Sequence, residues 1–201
     1  MRRRDKSFMR ALVILVFLFI GASWLLINMK GSDIIHEPAD FYGTSDEVSL
    51  KYMVKVANDY NYLIYLPSEL PNNFKLTAIY LKESPFIALI VYSAEGNKDY
   101  KTAEFVIQIS PSPSEISPTF NELKAEAETS EYRIALEINS WPVRVNEKAD
   151  SGADKALRRK YGDYILLAEV WIDEMVYSLS APTLKTEDIE QLVGHMSLLT
   201  L

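Results

Sequence analysis

The sequence predicts an α+β fold, in which a mainly antiparallel six- or seven-stranded sheet packs against two helices and follows one N-terminal transmembrane helix. The N-terminal helix is indicated by an uncharged apolar run over residues 11–29. The sheet is indicated by short apolar or alternating segments, separated by turn residues, between residues 62 and 180. The packing helices are indicated near residues 50 and 190, where apolar residues recur at helical spacing.

The composition is that of one globular domain without cysteine. The chain has 201 residues, of which 48% are apolar and 24% charged, and this size suits a single domain behind the N-terminal segment. The absence of cysteine excludes disulfides, thiolate zinc sites, cysteine nucleophiles and a lipid-modified N-terminal cysteine. A secreted domain that rests on packing alone is common in bacteria, which favours a bacterial origin.

The N-terminal residues have the pattern of a signal anchor. The nineteen residues from Ala11 to Met29 span roughly 28 Å as a helix at ~1.5 Å per residue, close to the hydrocarbon thickness of a bilayer. Basic residues before this run should keep the N-terminus in the cytoplasm, and an indole near its far end suits the opposite interface. These topology determinants are Arg2, Arg3, Arg4, Lys6, Arg10 and Trp24.

Two other interpretations of this segment stay open. Gly21-Ala22-Ser23 fits a signal-peptide cleavage site, although the apolar run continues to Ile27 and so favours a retained single-pass anchor. A buried helix of a soluble protein is the third interpretation, and the basic cluster argues against it. The anchor divides the chain into a cytoplasmic tail, a transmembrane helix, a linker and an extracytoplasmic domain, at residues 1–10, 11–29, 30–43 and 44–201.

Charge is divided unevenly between these parts. Five basic side chains against Asp5 give residues 1–10 a net charge of +4, and the overall charge of −7 therefore leaves −11 for residues 11–201. An acidic outer domain repels nucleic acid and anionic headgroups, so we expect no nucleic-acid partner. The expected partners are the lipid bilayer, through residues 11–29, and a protein of the membrane or envelope.

The first half of the domain predicts a helix and then four strands. Thr44 and Glu47 fit a capping box, and an apolar stripe follows at Leu50, Met53, Val54, Ala57 and Tyr60. The strands are Tyr62–Leu66, Lys75–Leu81, Phe86–Ser93 and Tyr100–Ser110. The last of them alternates, with Ala103, Phe105, Ile107 and Ile109 on one face and Glu104 and Gln108 on the other.

The second half predicts a short helix, two strand pairs and a final helix. An exposed loop over Pro111–Pro118 precedes the short helix, Thr119–Glu128. The first strand pair places Ile134, Leu136 and Ile138 before Asn139-Ser140, and Trp141, Val143 and Val145 after it. A polar loop with a helical turn over Asp154–Arg159 covers Ala149–Lys160. Asp173-Glu174 is then the tight turn of a hairpin whose strands are Tyr164–Ile172 and Met175–Ser180. Thr186 caps the final helix, whose apolar stripe is Ile189, Leu192, Val193, Met196 and Leu199.

Two segments resemble a known family. Tyr65–Leu76 contains a P-x-x-L-P-x-x-F entry into a strand, and Trp171–Leu179 is followed by Leu184–Ile189 and by Ser197-Leu198. Together they are similar to the DUF4367-type family of bacterial extracytoplasmic domains of unknown function, over about Tyr62–Leu199. Members of that family occur behind a single membrane helix, in anti-sigma-factor-like and lipoprotein-sorting-like chains.

The resemblance implies a binding or structural module, because the family carries no catalytic residues to transfer. The glycines that are usual in the family's proline loop and hairpin turn are absent here, where Asn72-Asn73 and Asp173-Glu174 stand instead. Asparagine and aspartate tolerate positive φ better than most residues, so we expect both turns to form. Ancestry shared with lipid-handling carriers would imply an apolar cavity under the sheet. The tail before the membrane helix is too short for a sigma-binding domain, so classical anti-sigma action is not expected.

No pattern in the sequence predicts catalytic or metal chemistry. His36 in the linker and His195 on the final helix have no further ligands at helical spacing, and Asp150–Asp154 lacks the alternating ligands of a calcium loop. Nucleophile-elbow, S-x-x-K, Walker and dinucleotide-binding patterns are absent. We therefore expect no enzyme, no cofactor and no metal site.

Two groups of surface candidates remain. The tyrosines Tyr60, Tyr62 and Tyr65 suit a binding platform, but core and rim packing is favoured, with Tyr62 and Tyr65 on opposite strand faces. The basic run at residues 158–160 is expected to be a solvated loop rather than an anion site.

Three functions follow from these observations. The leading hypothesis is a membrane-anchored, extracytoplasmic and non-enzymatic module that binds a protein or envelope component. The first alternative is a carrier or sensor of an apolar or lipid ligand, for which an apolar cavity is the required feature. The second alternative is a hydrolase, for which converging carboxylates or a Ser–His pair with an acid would be required.

Overall fold

The computed structural model describes residues 46–112, 117–151 and 155–200. The described residues form ten strands: β1 (Asp46–Glu47), β2 (Tyr65–Pro67), β3 (Lys75–Lys82), β4 (Ile87–Ser93), β5 (Phe105–Pro111), β6 (Arg133–Ile138), β7 (Trp141–Asp150), β8 (Tyr164–Ile172), β9 (Met175–Ser180) and β10 (Met196–Leu198). They also form four helices: α1 (Leu50–Asp59), α2 (Phe120–Ala127), α3 (Lys155–Tyr161) and α4 (Thr186–Gly194). The α+β class is confirmed.

Eight of the strands make one antiparallel sheet, in the order β1-β3-β4-β5-β9-β8-β7-β6. The first half of the domain meets the second half at the pair β5–β9, where Ile107 lies opposite Leu179. A separate ribbon pairs β2 with β10 and places Leu66 opposite Ser197. The main sheet thus has eight strands where six or seven were predicted, and the short helices α2 and α3 accompany the two predicted packing helices, α1 and α4. The predicted strand Tyr62–Leu66 is a shorter strand outside the main sheet.

The inner face of the sheet carries the main core. Its side chains at the centre are at most 1% exposed, among them Ile107, Ile109, Val170, Tyr177 and Leu179. Helix α1 buries Met53, Val54, Val56 and Ala57. Helix α4 buries Thr186, Ile189, Leu192 and Val193. These helices and the sheet bury one another's apolar faces, which is the layer packing of an α+β domain.

A smaller apolar cluster lies on the outer face, over β3, β4 and β5. Its members are Ala78, Tyr80, Leu89, Val91, Tyr100, Ala103 and Val106. The prediction that Ala103 shares a face with Phe105 was wrong, because β5 begins only at Phe105. Ala103 belongs instead to the loop over residues 94–104, which folds over the outer face.

Helix α1 begins later than predicted. Asp46 and Glu47 are extended and pair with Leu81 and Tyr80 of β3, so they cannot form the first turn of a helix. Ser49 is the N-cap instead, and its Oγ accepts a hydrogen bond from the backbone N–H of Tyr52 at 3.2 Å. The predicted cap Thr44 lies outside the described residues.

The final helix begins one residue earlier than predicted and ends several residues sooner. Lys185 is its N-cap, and the Asp188 carboxylate accepts the Lys185 backbone N–H at 2.9 Å. Thr186 lies inside the first turn, where its hydroxyl donates to Glu147 Oε1 at 2.6 Å. The helix ends at Gly194, because Met196 and the two residues after it pair with β2 and so are extended.

Two of the tight turns use left-handed backbone at non-glycine residues. Asn139 and Ser140, between β6 and β7, have φ of 54° and 67°, the pattern of a type I′ hairpin turn. Asp173, between β8 and β9, has a φ of 52°. The proline loop likewise contains Asn72 and Asn73 with φ of 54° and 57°. The expectation that asparagine and aspartate adopt positive φ in these turns is confirmed.

Two segments predicted as loops have residues at their ends that belong to regular secondary structure or are buried. Pro111 pairs with Met175 in the sheet, and Ser112 is buried with its N–H donated to the Glu174 carbonyl at 2.8 Å. The prediction of an exposed loop was therefore wrong at those two residues. In the other loop, β7 continues to Asp150 and α3 supplies the predicted helical turn over a longer range.

The predicted anchor and its flanks precede the part of the chain that the structure describes. Arg2, Arg3, Arg4, Lys6, Arg10 and Trp24 all lie outside the described residues, as does His36. Within the described ranges, no helix combines the length and the hydropathy that crossing a bilayer requires.

Candidate functional site

The middle of the outer sheet face lies between two covered flanks. The loop over residues 94–104 covers β3 and β4 on one side, and α2 contacts β6 and β7 on the other. Between them β5, β9 and β8 present partly exposed side chains. We name this surface the central outer face: Gln108, Ser110, Leu167, Glu169, Val176, Ser178 and Ser180.

A polar row crosses this face from strand to strand. Gln108 of β5 lies opposite Ser178 of β9, and Ser178 lies opposite Glu169 of β8. Glu169 lies opposite Arg144 of β7, which is partly buried at the edge of α2. Directly opposite residues in antiparallel strands are close enough to act together, so the row is one continuous polar strip.

Arg144 holds the two carboxylates at the end of this row. Its Nε donates to Glu169 Oε2 at 2.8 Å, and its Nη1 donates to Glu126 Oε2 of α2 at 2.9 Å. Its Cζ also lies 5.4 Å from the centroid of the Trp171 ring. Burial lowers the pKa of the Arg144 guanidinium, but Glu169 and Glu126 outweigh it and raise that pKa overall. The row therefore ends in a fixed charge network that positions α2 on the sheet.

The opposite flank is pinned by hydrogen bonds to β3. The Thr77 hydroxyl donates to the Asn97 carbonyl at 2.7 Å, and the Tyr80 hydroxyl donates to the Lys98 carbonyl at 3.2 Å. Lys98 in turn contacts Glu47 of β1 at 2.5 Å. Because both flanks are tied to the sheet, the face between them is a preformed shallow surface.

The one histidine of the described residues meets an acid and a serine, but not in a catalytic arrangement. Nδ1 of His195 lies 3.1 Å from Glu69 Oε2. The Ser68 hydroxyl, however, donates to the backbone carbonyl of His195 at 3.0 Å rather than to the ring. A triad requires the hydroxyl to reach the imidazole. His195 is also the residue after α4, and not on the helix as predicted.

The other surface candidates have structural partners. Arg158 contacts Asp150 at 2.9 Å and Asp163 at 3.1 Å, and Lys160 donates to the Thr102 carbonyl at 2.9 Å. The basic run is exposed, as predicted, but it lies on the short helix α3 rather than in a loop, and Arg158 is held there by two ion pairs. Residues 152–154 of the predicted acidic loop lie outside the described residues.

The three candidate tyrosines contact aromatic neighbours, as packing predicts. Tyr60 and Tyr62 are stacked with ring centroids 5.8 Å apart, and Tyr62 also contacts Phe86 at 5.7 Å. Tyr65 meets the Trp141 ring edge-on at 5.4 Å. Only Tyr65 lies in a strand, so the predicted alternation of Tyr62 and Tyr65 within one strand was wrong.

Two open clefts lie beside α1, away from the central outer face. The first has a volume of about 720 Å³, and its lining includes Tyr52, Lys82 and Glu83. The Tyr52 hydroxyl donates there to Glu83 Oε1 at 2.7 Å. The second has a volume of about 410 Å³ and is lined in part by Lys51 and Asp59. Both are open surface depressions rather than the enclosed apolar cavity that a lipid carrier requires.

Within the described ranges, no three histidine or acidic side chains converge in a way that suits a metal ion. The sequence did not predict the whole polar row. The structure brings together Gln108, Ser178, Glu169, Arg144 and Glu126. Gln108 and Glu169 interrupt apolar strands at alternate positions, which is a visible signal. The pairing of Glu126 with Arg144 depends on where α2 packs, and local sequence carries no signal for that.

Comparisons with protein-family models, with curated proteins and with solved structures found no match. The resemblance to the DUF4367-type family therefore stays a prediction.

Proposed function

We propose that this chain is a membrane-anchored, extracytoplasmic and non-enzymatic module that binds a protein or envelope component through its central outer face. The observation that carries the proposal is the polar row left uncovered between two pinned flanks. Preformed surfaces of this kind bind with little loss of conformational freedom. The anchor rests on the uncharged run at residues 11–29 and the basic residues before it.

The binding proposal is favoured over the two alternatives by particular contacts. A carrier needs an enclosed apolar volume, whereas the clefts beside α1 are open and partly polar. A hydrolase of the Ser–His type needs a serine aligned with an imidazole, whereas Ser68 donates to a carbonyl. The partly exposed serines and glutamine of β5 and β9 instead offer hydrogen bonds to a partner without charge repulsion.

Photocrosslinking in intact cells tests the surface. A photoreactive amino acid is placed at Gln108 in the full chain, and at Lys55 as a matched control on the exposed side of α1. We expect a discrete crosslinked partner from position 108 and none from position 55. Ser178→Arg, which places a long side chain on the polar row, should abolish that product, while Ser178→Ala should retain it.

Two results contradict the surface assignment. One is the same set of products from positions 108 and 55, and the other is a crosslink at position 108 that survives Ser178→Arg. Circular dichroism of each variant shows whether the domain is still folded, so that a lost crosslink can be assigned to the altered surface rather than to unfolding. A reporter fused after Leu201 tests the topology separately, and activity only in the cytosol contradicts the extracytoplasmic placement.

A further inference from the structure

The two edges of the main sheet differ in length. β1 closes one edge with only two paired residues, Asp46 and Glu47. β6 forms the other edge with six residues, all paired to β7 on one side only, and no strand of the described residues lies beyond it. An edge strand exposes a row of backbone donors and acceptors that can pair with a further strand.

The register of β6 shows which backbone groups face outward. The two-residue turn after Ile138 makes Ile138 and Trp141 a hydrogen-bonded pair, so Leu136 and Ile134 also bond to β7. Glu137 lies opposite Pro142, which has no N–H, as suits a non-bonded pair. The N–H and C=O groups of Arg133, Ala135 and Glu137 therefore point away from β7.

The side chains of β6 make this edge self-complementary. If two copies pair antiparallel about Ala135, the outward backbone groups of both strands meet in register. Each Arg133 then lies opposite the Glu137 of the other copy, and this happens twice. A register shifted by two residues loses both charge pairs. Arg133 already interacts within its own chain. A guanidinium has five donors, and Arg144 uses its own to hold two carboxylates, so Arg133 can keep that interaction and also meet Glu137.

The opposite face of β6 supports the same register. Ile134, Leu136 and Ile138 pack at the margin of the main core and are only partly buried, whereas Val143 and Val145 of the neighbouring strand are fully buried. In a pair centred on Ala135, each Ile134 lies opposite the Leu136 of the other copy. Pairing therefore covers apolar side chains that the single chain leaves at its edge.

We propose that β6 is a homotypic interface, at which a second copy of this chain adds its own β6 antiparallel about Ala135 and continues the sheet across a two-fold axis. An isologous contact of this kind closes at two copies. The proposal is independent of membrane anchoring, because it uses only the described domain.

Single cysteines test the register, since the full chain has no other thiol. The full chain with Ala135→Cys is oxidised with copper phenanthroline, and we expect a disulfide-linked dimer because opposite Cα atoms are about 5.5 Å apart. Arg133→Cys or Glu137→Cys alone should give no dimer. The two variants mixed together should be crosslinked, since residues 133 and 137 face each other across the axis.

Charge reversal tests the pairing itself. In the Ala135→Cys background, Arg133→Glu or Glu137→Arg should weaken dimerisation roughly tenfold, because two attractive cross-strand pairs become repulsive. The double reversal should restore the dimer. The proposal is overturned if the Ala135→Cys crosslinking yield is unchanged by the charge reversals. It is also overturned if Glu137→Cys alone is crosslinked as efficiently as Ala135→Cys. The absence of any dimer while circular dichroism shows a folded chain overturns it as well.

Discussion

Tyr177 shows how one side chain joins separate parts of this fold. It lies in β9, is fully buried, and its hydroxyl accepts the backbone N–H of Tyr65 at 3.0 Å. It also donates to the Leu63 carbonyl at 3.4 Å. Tyr65 begins the small β2–β10 ribbon, so this hydroxyl fastens the ribbon to the main sheet.

Replacing Tyr177 by phenylalanine should destabilise the domain by about 1–3 kcal/mol, because the Tyr65 N–H loses its acceptor. Urea unfolding measures the change. Tyr164→Phe is the control, because that side chain is 63% exposed in the first residue of β8. Equal stability of the two variants would mean that water replaces the hydroxyl without cost.

At the scale of single elements, α2 depends most on its own ends. It has eight residues and buries only Leu123, so packing contributes little to it. Its capping box is complete: Glu122 Oε2 accepts the Thr119 backbone N–H at 2.7 Å, and Thr119 Oγ1 accepts the Glu122 N–H at 3.3 Å. The hydrogen bonds from the Thr119 backbone and hydroxyl lower the pKa of the Glu122 carboxyl.

Thr119→Ala should therefore cost about 1 kcal/mol, measured by urea unfolding. Asn121→Ala, at an exposed position inside the same helix, is the control and should not lower stability. The Glu122 half of the box has a pH signature. A lowered folded pKa means that its contribution is complete above the ordinary value of 4.5 and is lost as pH falls below it. Glu122→Gln should make the free energy of unfolding fall less steeply with decreasing pH. The same acid-induced fall in the variant as in the original chain would contradict the role of the capping box.

At the scale of the whole molecule, one continuous sheet joins both halves of the domain. Six residue pairs link β5 to β9, and the inner core spans all of the strands between β3 and β7. Tyr92 lies in the first half, where it stacks on Phe105 at 5.2 Å, and Tyr177 lies in the second. Burial raises the pKa of both hydroxyls.

Alkaline unfolding should therefore be a single transition. Because both pKa values are raised in the folded state, their contribution to stability is full below about pH 10 and is lost as pH rises beyond it. Each group adds up to about 1.4 kcal/mol per pH unit to the slope. Tyr92→Phe should reduce the slope, and separate midpoints by fluorescence and circular dichroism would show that the halves unfold independently.

The sequence predicts elements well where the signal is local. The β8–β9 hairpin has the predicted bounds, because alternation and the Asp173 turn act within a few residues. Errors occur where distant chain decides the conformation. Glu47 is extended because β3 pairs with it, and Met196 leaves the helical stripe because β2 pairs with it. Of the candidate site, Gln108 is visible in the alternation, but the meeting of Glu126 with Arg144 is a tertiary contact.

The pairing of β5 with β9 sets the order in which the sheet can form during biosynthesis. Translation reaches the end of β5 at Pro111, but its partner strand is complete only at Ser180, about seventy residues later. At ~5–20 residues per second, the nascent first half waits roughly 4–14 s with the β5 edge unpaired and its apolar side chains uncovered. A chaperone that shields extended apolar chain has its main work in that interval, before the second half emerges and β9 pairs with β5.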